Sequence, residues 1–339
     1  MEDSKSKQSC RSVNRRTFFT LLVRAAAAIA GIISLDFIVP RNVAASIVTK
    51  SSGVSMVSPE TSLASVVIVK GTTDTDAQVY VDKALEALGG VEKLVPTGTN
   101  ILIKPNVGFY DKDATTDPRI TAAVVKALKR AQPNQIIVGE SALRGIDVEH
   151  ALQVTGTRSL AEAAGAEVRD LRKDDIVTVE IPNGVAIKSV TVFKTVRDSF
   201  IVSVPRLKRH SATTATISLK NMIGTLSDNE KGRFHQVNLN QCIADLSLAL
   251  HPGLVVIDAT RAMTKRGPSG GVMVDLNLVV ASTDPVAADL IAAEELFKAE
   301  GTTDPRGAAI SINHIQNAAQ LGVGIADFSK IQVLTLNIG

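Results

Sequence analysis

Two histidines and three lysines fall between residues 208 and 235. They occupy the run Pro205-Arg206-Leu207-Lys208-Arg209-His210, then Leu219-Lys220-Asn221-Met222-Ile223-Gly224, then Lys231 and His235. A neutral imidazole can ligate a metal or move a proton near neutral pH, and a lysine can neutralise a carboxylate or phosphate or attack a carbonyl. In a catalytic reading His210 is the general acid/base, and Lys208 with Lys220 stabilises developing negative charge. The plain alternative is a pair of surface histidines beside a mobile polar loop, residues 227–233.

Further polar residues follow apolar runs of strand length. Lys104-Pro105-Asn106 follows Ile101 to Ile103, Glu140 follows Ile136 to Val138, and Asp258 follows Leu254 to Ile257. In a parallel α/β sheet, ligands bind outside the C-terminal ends of the strands. Lys104, Asn106, Glu140 and Asp258 are therefore candidate cofactor-binding groups, together with Lys220, Asn221 and Gly270. The last lies in Gly267-Pro268-Ser269-Gly270-Gly271, which reads either as a backbone nest for an anion or as a turn without function. Neither a phosphate-binding P-loop nor a Gly-x-Gly-x-x-Gly pattern is present, and no Ser–His–Asp order or His-Glu-x-x-His pattern can be picked out.

The elements that must position these groups alternate in type. Strand-length runs at Val66 to Val69, Ile101 to Ile103 and Ile136 to Val138 are separated by helical periodicity around Ala77 to Leu88, after Pro118 and near Ser159 to Ala164. This rhythm predicts an α/β fold with largely parallel sheets. Between residues 176 and 200 it breaks into short β-rich runs, Val177 to Val179, Val185 to Ile187 and Val190 to Phe193, around the turn pair Asn183-Gly184. That composition predicts a short antiparallel β insertion. The alternation resumes with Ile201 to Val204, a helix around Leu239 to Leu250, strands at Leu254 to Ile257 and near Leu276 to Ala281, two Ala-rich helices and a strand from Ile331 to Leu336. The expected organisation is an N-terminal lobe over residues 65–200 and a C-terminal lobe over 201–339, with the site in the cleft between them. Thr-Asp-Pro occurs three times, ending at Pro118, Pro285 and Pro305, each before a helical pattern. Asp at the N-cap with Pro at the first helical position accounts for all three without catalysis.

The first 45 residues read as a targeting peptide. Lys5, Lys7, Arg11, Arg15 and Arg16 precede the apolar run Ala25 to Leu35, which is 11 residues long where a spanning helix needs about 20. Arg15-Arg16, with Phe18 two positions on, matches the twin-arginine pattern, although Asn14 stands where Ser is usual. Val43-Ala44-Ala45 supplies the small residues of a cleavage site. The expectation is export by the twin-arginine translocase, cleavage after Ala45, a linker over residues 46–64, and a periplasmic or extracytoplasmic protein with no stable membrane span. An uncleaved anchor is the rival. Cleavage would leave 30 basic against 31 acidic residues. Near-neutral charge, no Trp and 3% aromatics offer nothing to hold a nucleic acid. Of the two cysteines, Cys10 lies in the removed segment, and Cys242 alone can form neither an internal disulfide nor an iron–sulfur cluster.

Taken in order, Lys104-Pro105-Asn106, Val204-Pro205 leading to Lys208 and His210, Leu219-Lys220-Asn221-Met222 with Gly224, Lys231 with His235, Asp258-Ala259, Gly267-Pro268 with Gly270, and Asp284-Pro285 with Asp289 resemble the domain of unknown function 362 family over most of residues 65–339. Many members of that family carry ferredoxin-type cysteines, which this chain lacks, so cluster-based electron transfer is not implied. The spacing of His210, Lys220 and His235 also resembles the pattern of lactate racemase, which holds a nickel-pincer nucleotide. That second resemblance implies a proton-transferring His210, a cofactor-attaching Lys220 and a nickel-ligating His235. It lacks the second catalytic histidine of the first lobe, because no His occurs in the mature chain before His150.

The functional expectation is a small-molecule site: an anionic compound, a cofactor or a divalent metal held in a cleft. It is an enzyme with histidine acid/base chemistry, or else a non-catalytic extracytoplasmic module that captures an anion or metal.

Overall fold

Runs such as Val66-Val67-Ile68-Val69, Ile101-Leu102-Ile103 and Val255-Val256-Ile257 are apolar at every position, the pattern of strands covered on both faces. The computed structural model describes residues 63–339 and bears this out. The expected signal segment and nearly all of the expected linker lie outside the described residues. Twelve strands occur among those described. They are β1 (Ala64–Lys70), β2 (Asn100–Pro105), β3 (Gln135–Glu140), β4 (Glu167–Asp170), β5 (Ile176–Glu180), β6 (Ser189–Phe193), β7 (Phe200–Val204), β8 (Arg206–His210), β9 (Thr214–Thr216), β10 (Leu254–Thr264), β11 (Val272–Ser282) and β12 (Ile331–Asn337).

Ten of them form one sheet with the path β12-β1-β11-β10-β7-β2-β3-β4, to which β8 is added by pairing with β10 and β9. The run from β10 through β7, β2 and β3 to β4 is parallel, β12 is parallel to β1, and β11 lies antiparallel between β1 and β10. The pleat sends successive side chains to opposite faces. Val66, Ile68 and Leu102 join one core, while Val67, Val69, Ile101 and Ile103 join the other. The first core is closed by the helices Leu239–Ala249, Pro285–Ala299 and Asn313–Gln320 through Ile243, Leu290 and Ile315. The second is closed by Ala77–Ala87, Pro118–Leu128, Val148–Val154 and Thr157–Ala164 through Leu85, Val124, Leu152 and Ala161. The result is a three-layer α/β arrangement.

The boundary expected at residues 200/201 does not interrupt this sheet. β7, which begins the expected C-terminal lobe, pairs in parallel with β2 of the N-terminal one, from Ile101 with Phe200 to Pro105 with Val204. Both halves thus share one sheet and its two cores, and the site lies at the C-terminal ends of β2 and β3, inside the sheet rather than in a cleft between separate lobes. An open parallel sheet can be extended at either side by later strands, and no local sequence signal marks which strand will be its neighbour.

Each Thr-Asp-Pro turns a helix as expected. Asp117 accepts from Arg119 N, Asp284 from Val286 N and Ala287 N, and Asp304 from Gly307 N, with proline next in each case. The β insertion is a two-stranded antiparallel sheet of β5 and β6, in register from Ile176 with Phe193 to Glu180 with Ser189. Val185 to Ile187, expected as a β-rich run, is not a strand. Its three backbone N–H groups donate to the buried carboxylate of Asp245 at 2.9, 2.6 and 2.9 Å, which satisfies them outside any ladder. Residues 227–233, read as a polar loop, open the helix Asp228–Val237 instead. Ser227 Oγ caps it by accepting from Glu230 N, and Asp228 and Glu230 in its first turn suit the helix dipole.

Candidate functional site

The floor of the site is built where β2 and β3 end. Lys104, fully buried, sends its ammonium to Glu140 Oε2 at 2.7 Å, to Pro105 O at 2.6 Å and to Asn221 Oδ1 at 3.4 Å. Glu140 is held by two more donors, Val107 N on Oε2 and Ser141 N on Oε1, both at 2.8 Å. Burial draws the Lys104 ammonium below the ordinary lysine range, and the Glu140 charge works against that shift. Asn221 ties the floor to the neighbouring strands: its Nδ2 donates to Lys104 O and Ser203 Oγ, while its Oδ1 also accepts from Asn106. Gly224 explains its place in the Leu-Lys-Asn-Met-Ile-Gly run. A Cβ there would lie 2.3 Å from Glu140 Oε1 and 2.6 Å from Lys104 Nζ, so only glycine leaves room for the buried pair.

Above this floor is a cavity of about 600 Å³, counted out to solvent, lined by Asn106, Glu140, Lys208, His210, Lys220, Asn221 and Lys231. Pro205 separates β7 from β8, which carries Lys208 and His210 to the cavity by pairing with β10 at Asp258/Arg206 and Met263/Lys208. Lys208 is buried, donates to Ala114 O, and lies over the Phe109 ring at 5.2 Å from its centroid. Loss of water around it, reinforced by the charges of Lys220 and Arg206, lowers its pKa to about 7. His210 Nδ1 accepts from Ala212 N at 3.1 Å, which leaves the proton of the neutral ring on Nε2. Burial and the adjacent Lys220 and Lys208 hold its pKa down at about 3, so it is uncharged at neutral pH.

Lys220 sits on the one-turn helix Ser218–Asn221. The buried carboxylate of Asp289 anchors that turn by accepting from Ser218 N at 2.8 Å, Ser218 Oγ at 2.5 Å and Leu219 N at 3.0 Å. Half-buried, the Lys220 side chain opens on the cavity. Each of the other cavity lysines has partners; Lys231, for example, donates to Ser141 O, Ser141 Oγ, Ala142 O and Asp228 Oδ1. Lys220 alone among them makes no hydrogen bond or ion pair within the described residues. Desolvation, then the charges of Lys104 and Lys231, bring its pKa to about 8.

The other candidate residues are placed elsewhere. Asp258 is buried in a structural cluster, taking Asp117 N at 2.7 Å, Thr260 Oγ1 at 2.6 Å and Arg206 Nη1 at 3.4 Å. Gly270 lies in the β10–β11 turn at φ 64° with nothing near its Cβ direction, and Pro268 of that turn reaches the cavity in its stead. His235 is exposed on the helix Asp228–Val237 and does not line the cavity. No group of three or more His, Cys, Asp or Glu side chains converges for a metal ion among the described residues.

Sequence reasoning missed the apolar walls Phe109, Ala142 and Leu143, and gave no wall role to Ile223 and Pro268 within the motifs it named, since nothing in their types separates them from core. It also missed His314, which is fully buried on the helix Asn313–Gln320 near enough to Lys220 for its charge to hold the imidazole at a pKa of about 3, with burial the larger cause. His314 Nδ1 lies 3.3 Å from Asn240 Oδ1, and Nε2 has no partner.

Residues 101–294 match the family model described as Domain of unknown function (DUF362). The chain belongs to that family. The matched segment contains the whole floor of the cavity together with Lys208, His210, Lys220 and Asp289. The chain is also similar to the thylakoid-associated protein sll1697 of Synechocystis sp., at 26% identity over 241 residues, covering 66% of this chain and 71% of that protein. Neither comparison bears out the likeness to lactate racemase. No described helix is long and apolar enough to cross a membrane.

Proposed function

We propose that this DUF362 protein binds a small anionic molecule in the cavity at the ends of β2, β3 and β8, with Lys220 and Lys208 as its cations. One observation carries the reading: among the described residues the single carboxylate lining the cavity, Glu140, is already occupied by Lys104 and two backbone N–H groups, while the Lys220 ammonium has no partner. A desolvated cation facing an apolar-walled space is stabilised by an incoming anion far more than one in water. Neutral His210, with a proton on Nε2, can donate a hydrogen bond to the ligand, the role it would also take toward a reacting oxygen in the catalytic version. Calorimetric titration with acetate, phosphate and pyruvate tests the binding. Micromolar to millimolar affinity that Lys220→Met and Lys208→Met both abolish is expected, and equal binding by all three proteins would defeat the reading. If the protein turns its ligand over, His210→Ala removes turnover while leaving the melting curve intact.

A nickel-pincer nucleotide fits these residues only in part. Lys220 is open for attachment, but His235 is exposed outside the cavity. The twin-arginine run and short apolar stretch support export to the periplasm or beyond as a second part of the proposal. Arg15→Lys with Arg16→Lys should retain the uncleaved precursor inside the cell, as a fractionation blot would read.

A further inference from the structure

The lysine that lacks a partner among the described residues rises from a braced backbone, and that combination points beyond charge recognition. Asp289 fixes the start of the one-turn helix that carries Lys220, and the next residue, Asn221, is fixed at both ends of its amide by Lys104, Asn106 and Ser203. The Lys220 nitrogen therefore leaves a braced backbone. Behind it lie two ammonium groups that cannot turn away, Lys104 clamped by Glu140 and Lys231 clamped by Ser141 and Ala142. Desolvation first, and then these fixed cations, favour the neutral amine, the form that has a lone pair to give, against the opposing charge of Glu140. Phe109, Leu143, Ile223 and Pro268 supply an apolar wall to the cavity.

Resting on the anion-binding reading, we infer that Lys220 is a nucleophile which forms an imine with the carbonyl carbon of a small 2-oxo carboxylate, the carboxylate being held by Lys208. The neutral amine adds to the carbonyl carbon, forming the C–N bond as the C=O electrons move to oxygen. One proton passes from nitrogen to that oxygen, toward which His210 Nε2–H donates a hydrogen bond. The nitrogen then gives up its second proton to the hydroxyl, and its electron pair forms the C=N bond as the C–O bond breaks and water leaves. Amine and ketone give imine and water; nothing is oxidised or reduced. The low pKa of Lys220, about 8, agrees with a partly neutral amine near neutral pH.

The test incubates the protein with pyruvate and sodium cyanoborohydride and reads intact mass and peptide maps. Expected is one reduced adduct per chain, on Lys220, slowed by acetate as a competitor. Lys220→Arg, checked for folding by its melting curve, should lose the adduct. An adduct spread over surface lysines and unchanged in Lys220→Arg would overturn the inference. So would no adduct from a protein that still binds pyruvate, which leaves the anion-binding reading standing. Neither binding nor adduct would remove both.

Discussion

Replacing Gly224 by alanine tests the floor of the site directly. The added methyl carbon would lie 2.3 Å from Glu140 Oε1 and 2.6 Å from both Cε and Nζ of Lys104, well inside van der Waals contact. Neither side chain can swing aside without loss. Both are almost without exposure, Lys104 Nζ already has three acceptors, and Glu140 already has three donors. The methyl must therefore shift the backbone or separate the pair. Overpacking a core costs about 1–3 kcal/mol, and breaking a buried ion pair costs about 3–5 kcal/mol. A loss of about 3–5 kcal/mol is expected, a large part of the roughly 5–15 kcal/mol that holds a typical domain. Urea unfolding followed by circular dichroism measures it as a lower midpoint at unchanged slope. A second arm isolates the cause. In a background where Lys104→Met and Glu140→Gln have removed the charges, the same alanine should cost at least about 1 kcal/mol less, as contacting residues are non-additive. Stability within about 0.5 kcal/mol of the parent, the range of an inconsequential substitution, would refute the account of this glycine.

Other features yield sharper local tests. Asp245→Ala frees three backbone N–H groups at residues 185–187, so hydrogen exchange should accelerate there and in β5 and β6 while β2 and β3 stay protected, at a cost of about 2–4 kcal/mol for the lost bonds to a charged acceptor. Burial raises the pKa of Asp289 to about 7, so the folded chain binds this proton more tightly than the unfolded one; its contribution to stability should fall as pH rises from about 4 to about 7, and Asp289→Asn should flatten that part of the profile. Lys208 and Lys220 have the opposite sign. Their folded pKa values, about 7 and about 8, lie below the unfolded value, so above about pH 7 deprotonation relieves a strain and stability from these two rises, while affinity for an anion falls over the same range. Anion affinity that is flat from pH 6 to pH 9 would contradict their role as the binding cations.

The comparison of sequence and structure divides along a physical line. Local signals sufficed where the cause was local. The apolar runs became strands buried on both faces, and each Thr-Asp-Pro became a capped helix start, because hydrophobic periodicity and capping act within a few residues. The convergence of Lys104, Asn106, Glu140, Lys208, His210, Lys220 and Asn221 was also legible, since polar residues leaving parallel strands emerge on one edge. Asp258 leaves its strand in the same way yet serves Arg206 and Asp117, and its type alone could not have said so.

What the tertiary structure alone decided is partnership. Whether a lysine is a clamp or a free amine depends on atoms distant in the chain: Lys231 reaches Ser141 and Ala142, Lys104 reaches Glu140, and Lys220 reaches no partner among the described residues. The same holds for the single sheet that joins both halves, for Asp245 serving a turn some 60 residues away, and for His314 buried beside the cavity. Residue type and spacing set which groups are available and near which strand end they emerge; only packing across the sheet sets their solvation, their neighbours and so their charge.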